Sequence, residues 1–130
     1  MIGVAYADAS ALAKLILVEP ESIAFHHWYT EADRVTTSRV GIVETLRAAN
    51  RQPHDPTHRD HVVEDIEVIE LDPAIARMAA GLGPGTLRTL DAIHLATALS
   101  LGPDLDAFVT YDDRLAAAAR AIGLPVVRPA

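Results

Sequence analysis

An apolar run that stops on an acid and passes at once into a helix constrains this chain more than any other stretch. Ile2-Gly3-Val4-Ala5-Tyr6-Ala7 is short, apolar and rich in strand formers, and it ends at Asp8. That is the pattern of a strand covered on both faces. Residues 9–16 have helix composition, with Asp8 or Ser10 placed to cap the free N–H groups of the first turn. In open parallel α/β sheets, ligands bind at the carboxyl ends of the strands, so Asp8 faces a candidate site. Helix capping alone is an equally sufficient account of an aspartate at this position.

The same alternation repeats along the chain. Pro20 opens a helix over 21–32 that carries Ile23, Trp28 and Tyr29. Its adjacent His26 and His27 point in different directions and do not share a metal. Residues 34–37 read as a short strand, after which Ser38 caps a helix patterned by Val40, Ile42, Val43, Leu46 and Ala49. Glu44 lies on the fringe of that apolar stripe, and the helix alone places it exposed beside the core. Pro53 and Pro56 break the pattern. His54, His58 and His61 follow at one-turn spacing, but Pro56 falls in the would-be first turn and no patterned acid completes a ligand set, so a solvated helix face is expected. Residues 67–71 alternate like a strand, and Asp72-Pro73 starts another helix. The loop containing Gly81, Gly83, Pro84 and Gly85 has no lysine and no phosphate-loop spacing. Residues 90–101 form a helix that is apolar around most of its circumference and hence buried, with Asp91 in a first turn whose dipole already favours a carboxylate. A strand over 107–110 precedes Asp112-Asp113, a helix over 115–122, a capping Gly123 and a last strand at 126–127.

Short apolar strands alternating with helices predict a three-layer α/β/α fold around a mostly parallel sheet of four to five strands. With 130 residues, half of them apolar, residues 1–130 are expected to form a single domain around one core. No apolar run is long enough to span a bilayer, and the first residues lack a basic region and cleavage site, so a soluble, cytoplasmic protein is expected. The absence of cysteine excludes thiol chemistry and leaves oxygen and histidine as the only metal ligands. A net charge of −7 argues against a broad basic surface for nucleic acid, although ten of the eleven basic residues are arginine, which suits phosphate contacts.

Asp8 and Asp112 both lie just beyond strand ends on one sheet edge, and Asp91 and Glu44 are placed to join them. Each has an ordinary explanation by itself, but four carboxylates on one edge are costly to fold without cations. An all-oxygen set suits Mg²⁺ or Mn²⁺, and the chemistry it implies is metal-activated attack of water on a phosphodiester.

Four segments carry a family resemblance: Asp8-Ala9-Ser10-Ala11-Leu12-Ala13-Lys14-Leu15; Ser38-Arg39-Val40-Gly41-Ile42-Val43-Glu44 with Arg47 and Ala48; Leu90-Asp91-Ala92-Ile93-His94-Leu95-Ala96-Thr97-Ala98; and Thr110-Tyr111-Asp112-Asp113-Arg114-Leu115. In order and spacing they resemble the PIN-domain ribonucleases, and more narrowly the VapC-type toxins of bacterial toxin-antitoxin pairs. The resemblance covers nearly the whole chain. It implies that Asp8, Glu44, Asp91 and Asp112 are the catalytic, metal-binding acids for Mg²⁺ or Mn²⁺. Ser10 and Thr110 match hydroxyl positions that support such carboxylates by hydrogen bonds. Asp113 matches a less uniform position, either an additional acid or one that faces solvent. His94 is not one of the family's acids and reads as structural.

The activity so implied is endonucleolytic cleavage of RNA by water, leaving 5'-phosphate and 3'-hydroxyl ends. The implied partners are an RNA substrate and a cognate antitoxin, with a homodimer inside the toxin-antitoxin complex. Leu17, Val18, Trp28 and Tyr29 are candidates for the antitoxin groove, or equally for core. An alternative is a partner-binding module whose nuclease activity is weak or latent. A phosphotransfer domain with Asp8 as nucleophile fits less well, since Ala9-Ser10 supplies no second aspartate two positions on.

Overall fold

A computed structural model describes residues 2–130. Its centre is a five-stranded sheet, β1 (Ile2–Ala7), β2 (Ala32–Ser38), β3 (Glu67–Ile69), β4 (Leu105–Val109) and β5 (Val126–Val127), in the order β3-β2-β1-β4-β5 with every neighbouring pair parallel. From β1 the chain builds outward through β2 and β3, then returns to the other side of β1 for β4 and β5. The strand order therefore reverses between β1 and β4, and the crevice beyond their carboxyl ends is where α/β sheets bind ligands.

Seven helices cover the sheet: α1 (Ala9–Leu12), α2 (Ser22–Glu31), α3 (Arg39–Asn50), α4 (Pro56–Asp65), α5 (Pro73–Gly81), α6 (Thr89–Leu99) and α7 (Asp113–Ala121). The segment expected to be helical over residues 9–16 tightens after one α-turn into a 3₁₀ turn, Ala13–Leu15. Strand side chains alternate between two cores. On one face Ala5, Ala7, Val35, Ala107 and Val109 pack with Leu12, Phe25 and Ile42 from α1, α2 and α3. On the other, Tyr6 and Phe108 stack with ring centroids 5.3 Å apart and pack with Leu95 and Leu115 from α6 and α7.

The caps follow the sequence. Asp8, Ser38, Asp55, Asp72 and Asp112 each accept a backbone N–H in the first turn of the helix they precede. Gly123 takes φ +84° beyond α7, a conformation that costs a side-chain-bearing residue.

The suggested groove residues separate. Leu17 is core, Trp28 and Tyr29 pack against the core beneath α2, and Val18 alone stands in solvent. Leu17 N bonds the Ala13 carbonyl at 2.8 Å, and the two side chains share a small core with Ile16 and Ala49. Among the described residues no helix is long and apolar enough to cross a membrane.

Candidate active site

Asp8 leaves the end of β1 with its side chain only 4% exposed. Ser10 Oγ donates to Oδ1 at 2.7 Å, Ala11 N donates to the same oxygen at 3.1 Å, and Thr110 Oγ1 donates to Oδ2 at 2.7 Å. The two hydroxyls also accept bonds from the β4 side, Ser10 Oγ from Tyr111 N at 2.8 Å and Thr110 Oγ1 from Asp112 N at 3.1 Å. They therefore clasp the segments that follow β1 and β4 together across the switch point. Burial raises the Asp8 carboxyl above its ordinary pKa, against the downward pull of the Ser10 and Thr110 hydroxyls.

Asp112 begins α7 and spends Oδ1 on the N–H groups of Arg114 and Leu115, at 2.9 and 3.1 Å. Asp91 lies in the first turn of α6, whose cap position is Arg88, and neither of its oxygens has a hydrogen-bond partner among the described residues. Its pKa is raised by partial burial first and by the charge of Asp112 next, with a smaller contribution from Glu44. Glu44 is not simply exposed. Its side chain retains a third of its accessibility, and Oε1 is bonded to His94 Nε2 at 2.6 Å.

The fold places Asp112 and Glu44 where their charges reach Asp91, and it pairs Ala7 with Val109, so that Asp8 and Asp112 follow neighbouring strand ends. It does not close the four acids into a ready ligand set. Among the described residues no three histidine, aspartate or glutamate side chains are gathered closely enough to hold a metal. Each of Asp8, Asp112 and Glu44 is turned to a partner of its own.

Ser10 and Thr110 take the supporting positions expected of them. Asp113 does not face the site: its side chain is 90% exposed and Oδ1 pairs with Arg128 at 2.7 Å. Two histidines of the 54–61 stretch are occupied individually, His58 Nε2 on the Leu15 carbonyl at 2.7 Å and His54 Nδ1 on the Gln52 carbonyl at 2.9 Å, and His61 is exposed. A solvated face is therefore only part of their account, since His58 ties α4 to the 3₁₀ turn.

Two features were not anticipated. Lys14 is 8% exposed. It lies between Glu19 and Glu21, at 3.5 and 3.6 Å, with its Nζ 4.6 Å from the centroid of the Tyr111 ring. His94 is bonded through both ring nitrogens, to Glu44 and to Tyr6. A lone histidine in an apolar helix, one turn beyond Asp91, is a signal that such partners must exist.

Grooves flank the acids on both sides. One, of about 820 Å³, runs from Ser10 and Glu44 past Lys14, Arg47 and Arg51. The other, of about 410 Å³, holds Asp91 between Arg88 and Arg114.

A family profile described as PIN domain matches residues 5–121. Ribonuclease VapC47 of Mycobacterium tuberculosis (strain CDC 1551 / Oshkosh) is 37% identical over 130 residues, covering 95% of this chain and 96% of that protein. Among solved structures, Mycobacterium tuberculosis VapC20, described as a sarcin-ricin loop cleaving toxin, has a TM-score of 0.73 at 18% identity over 96% of this chain and 99% of that one. A chain of VapBC2 from Rickettsia felis, solved with a DNA fragment from their promoter, has a TM-score of 0.65 at 9% identity, covering 98% and 99%. At such identities the structural likeness is one of fold.

Proposed function

We propose, because the chain belongs to the PIN domain family and within it to the VapC ribonucleases, that residues 1–130 form one domain acting as an Mg²⁺- or Mn²⁺-dependent endoribonuclease. It is the toxin of a toxin-antitoxin pair, a soluble cytoplasmic protein that forms a homodimer within the complex with its cognate antitoxin. The observation that carries the catalytic reading is Asp8, buried at the switch point and clasped by Ser10 and Thr110, with Asp91, Asp112 and Glu44 around the same end of the sheet.

The donor chemistry fits a hard divalent cation. Every candidate ligand is a carboxylate oxygen. Oδ2 of Asp112, Oε2 of Glu44 and both oxygens of Asp91 have no hydrogen-bond partner among the described residues. Asp8, Asp91 and Asp112 would hold the ion, with Glu44 completing the set. When bound, the ion supplies acidity to a water and neutralises charge on the scissile phosphate. Ser10 and Thr110 fix the rotamer of Asp8 and keep it receptive as a carboxylate by donating to both oxygens. Their own acceptor bonds to Tyr111 N and Asp112 N hold the loops in register.

RNA as the substrate also accounts for the placement of cations in an acidic chain. Arg34, Arg39, Arg59 and Arg128 are paired with carboxylates. Arg47, Arg51, Arg88 and Arg114 line the two grooves and form no ion pair among the described residues. With catalytically inert Asp8→Asn protein in EDTA, Arg47→Ala/Arg51→Ala is expected to bind a single-stranded RNA more weakly. The slope of log affinity against log salt should fall by roughly 0.7 per lost contact. Fluorescence anisotropy across a NaCl series measures it, and an unchanged slope removes these arginines from the RNA path.

The whole reading is tested in cells. Induction of the protein alone is expected to arrest growth with new 5'-phosphate RNA ends, while co-expression of a protein encoded beside it restores growth and yields a stable complex. Harmless expression of protein that cleaves RNA in vitro refutes the toxin assignment.

A further inference from the structure

His94 sits on α6 with 2% of its surface exposed, and both of its ring nitrogens are bonded: Nδ1 to Tyr6 Oη at 2.6 Å and Nε2 to Glu44 Oε1 at 2.6 Å. The partners assign the protons. A carboxylate oxygen only accepts, so Nε2 is the donor to Glu44, and the hydroxyl of Tyr6, buried in β1 and accepting the Ser38 N–H at 3.3 Å, is left to serve Nδ1. Nδ1 is then an acceptor, and Nε2 carries the hydrogen that is given to Glu44. The ring also lies close against α3. A Cβ built on Gly41, one turn before Glu44, would stand 3.4 Å from His94 Cε1, in ordinary contact with the ring, while the 2.1 Å it would have to Thr37 Oγ1 is what excludes a side chain there.

We propose that His94 is a positioning residue for Glu44: the buried Tyr6–His94–Glu44 chain, which ties β1, α6 and α3 together, holds Oε1 so that Oε2 is presented toward the other acids. This rests on Glu44 being one of the metal-binding acids. Tyr6 satisfies only Nδ1, and the partner that the buried Nε2 takes is not a backbone carbonyl or a core hydroxyl. The second bond reaches a carboxylate whose side chain is still 32% exposed at the groove rim. An unrestrained glutamate there samples several rotamers, whereas this one has a single oxygen tied and the other without a partner among the described residues. A neutral imidazole whose far nitrogen is fixed by a hydroxyl is a means of orienting a ligand from behind.

Mn²⁺ binding followed by the electron paramagnetic resonance of the free ion tests this without RNA. Glu44→Gln is the reference variant. His94→Leu, which keeps apolar bulk, is expected to lose affinity about tenfold, the usual size of such an effect. His94→Gln, whose amide N–H can still reach Oε1, recovers most of it. Tyr6→Phe should lose part of the affinity, and its imidazole ¹⁵N spectrum should show mixed tautomers where the wild type shows a proton on Nε2 alone. If Glu44→Gln weakens binding while His94→Leu, melting as the wild type does, binds normally, His94 only packs and the proposal fails. If Glu44→Gln binds normally, Glu44 is not a ligand, and the proposal fails with that part of the functional reading. Should His94→Leu not fold, the Tyr6→Phe and His94→Gln pair decides: a loss in the first with recovery in the second supports the chain, and wild-type affinity in both overturns it.

Discussion

Asp8→Asn is expected to leave the protein folded and to lower RNA cleavage in Mg²⁺ by roughly 10³-fold, the scale of losing one preorganised electrostatic group at a reacting centre. The fold survives because the amide reproduces the shape and most of the bonds. Its oxygen can keep the Ser10 hydroxyl and the Ala11 N–H, while its nitrogen takes the place of Oδ2 opposite Thr110 Oγ1. The Thr110 proton then turns to Ser10 Oγ, already 3.3 Å away, leaving Thr110 Oγ1 to accept. What disappears is the charge. Because burial raises the Asp8 pKa, the metal-free protein loses stability as pH rises from about 3.8 through the higher folded value, and above it the penalty is complete. At neutral pH the asparagine removes that penalty, so its metal-free melting temperature is not expected to fall. Cleavage of a 5'-labelled RNA, with and without EDTA, and a thermal melt decide the matter. Wild-type cleavage by the variant on an authentic substrate refutes the role of Asp8, and loss of the folded state refutes the clasp as described.

The second large effect is a reversal with metal. Asp91 has its pKa raised by partial burial and by the neighbouring Asp112. The folded state therefore holds its proton more tightly than the unfolded chain does, and stability is lost as pH rises from about 3.8 through the folded value. The positive end of α6 favours a carboxylate by about 0.3–1 kcal/mol, and the upward shift means that burial and repulsion outweigh it. In EDTA at neutral pH, Asp91→Asn is expected to melt higher than wild type, because the variant carries no charge to bury or to repel Asp112. No cap is lost, since the cap position of α6 is Arg88. Excess Mg²⁺ should invert the order, because binding to the folded state contributes about 2.7 kcal/mol at a hundred times Kd and the variant has lost a ligand. Melting curves in EDTA and in Mg²⁺ measure both arms. A variant that melts lower in EDTA, or equal gains from Mg²⁺, shows that Asp91 is not part of a metal-binding set.

The sequence made legible whatever depends on short-range pattern. The β1 run ending at Asp8, the Ser38 cap, the Asp72-Pro73 helix start and the Gly123 stop all rest on a few neighbouring residues, and all stand where the pattern placed them. The parallel sheet followed from strand-helix alternation, although its five strands are parallel throughout rather than mostly so. Pattern fails where the deciding contact is distant. Leu17 is buried because Ala49 of α3, over thirty positions later, packs with it. Glu44 stands half-covered because His94, fifty positions later, reaches it. Asp113 turns away because Arg128 pairs with it from beyond α7. Periodicity reports which face of its own element a residue occupies, and says nothing of what another element brings to that face.

The pairing of β1 with β4 has an entropic side. The register sets Ala7 opposite Val109, with almost the whole of the chain closing the loop between them. Closing so long a loop costs more chain entropy than forming the local helices or the β1–β2 unit. Until β4 docks, Asp8 has neither Thr110 above it nor Asp112 beside it, and is an ordinary hydrated carboxyl. Partly folded chains therefore have no attenuated form of the site, and the population able to cut RNA rises and falls with the fully folded one. Destabilising substitutions far from the acids, in the Phe25 or Leu95 cores, should scale cleavage by the folded fraction alone and leave the rate per folded molecule unchanged.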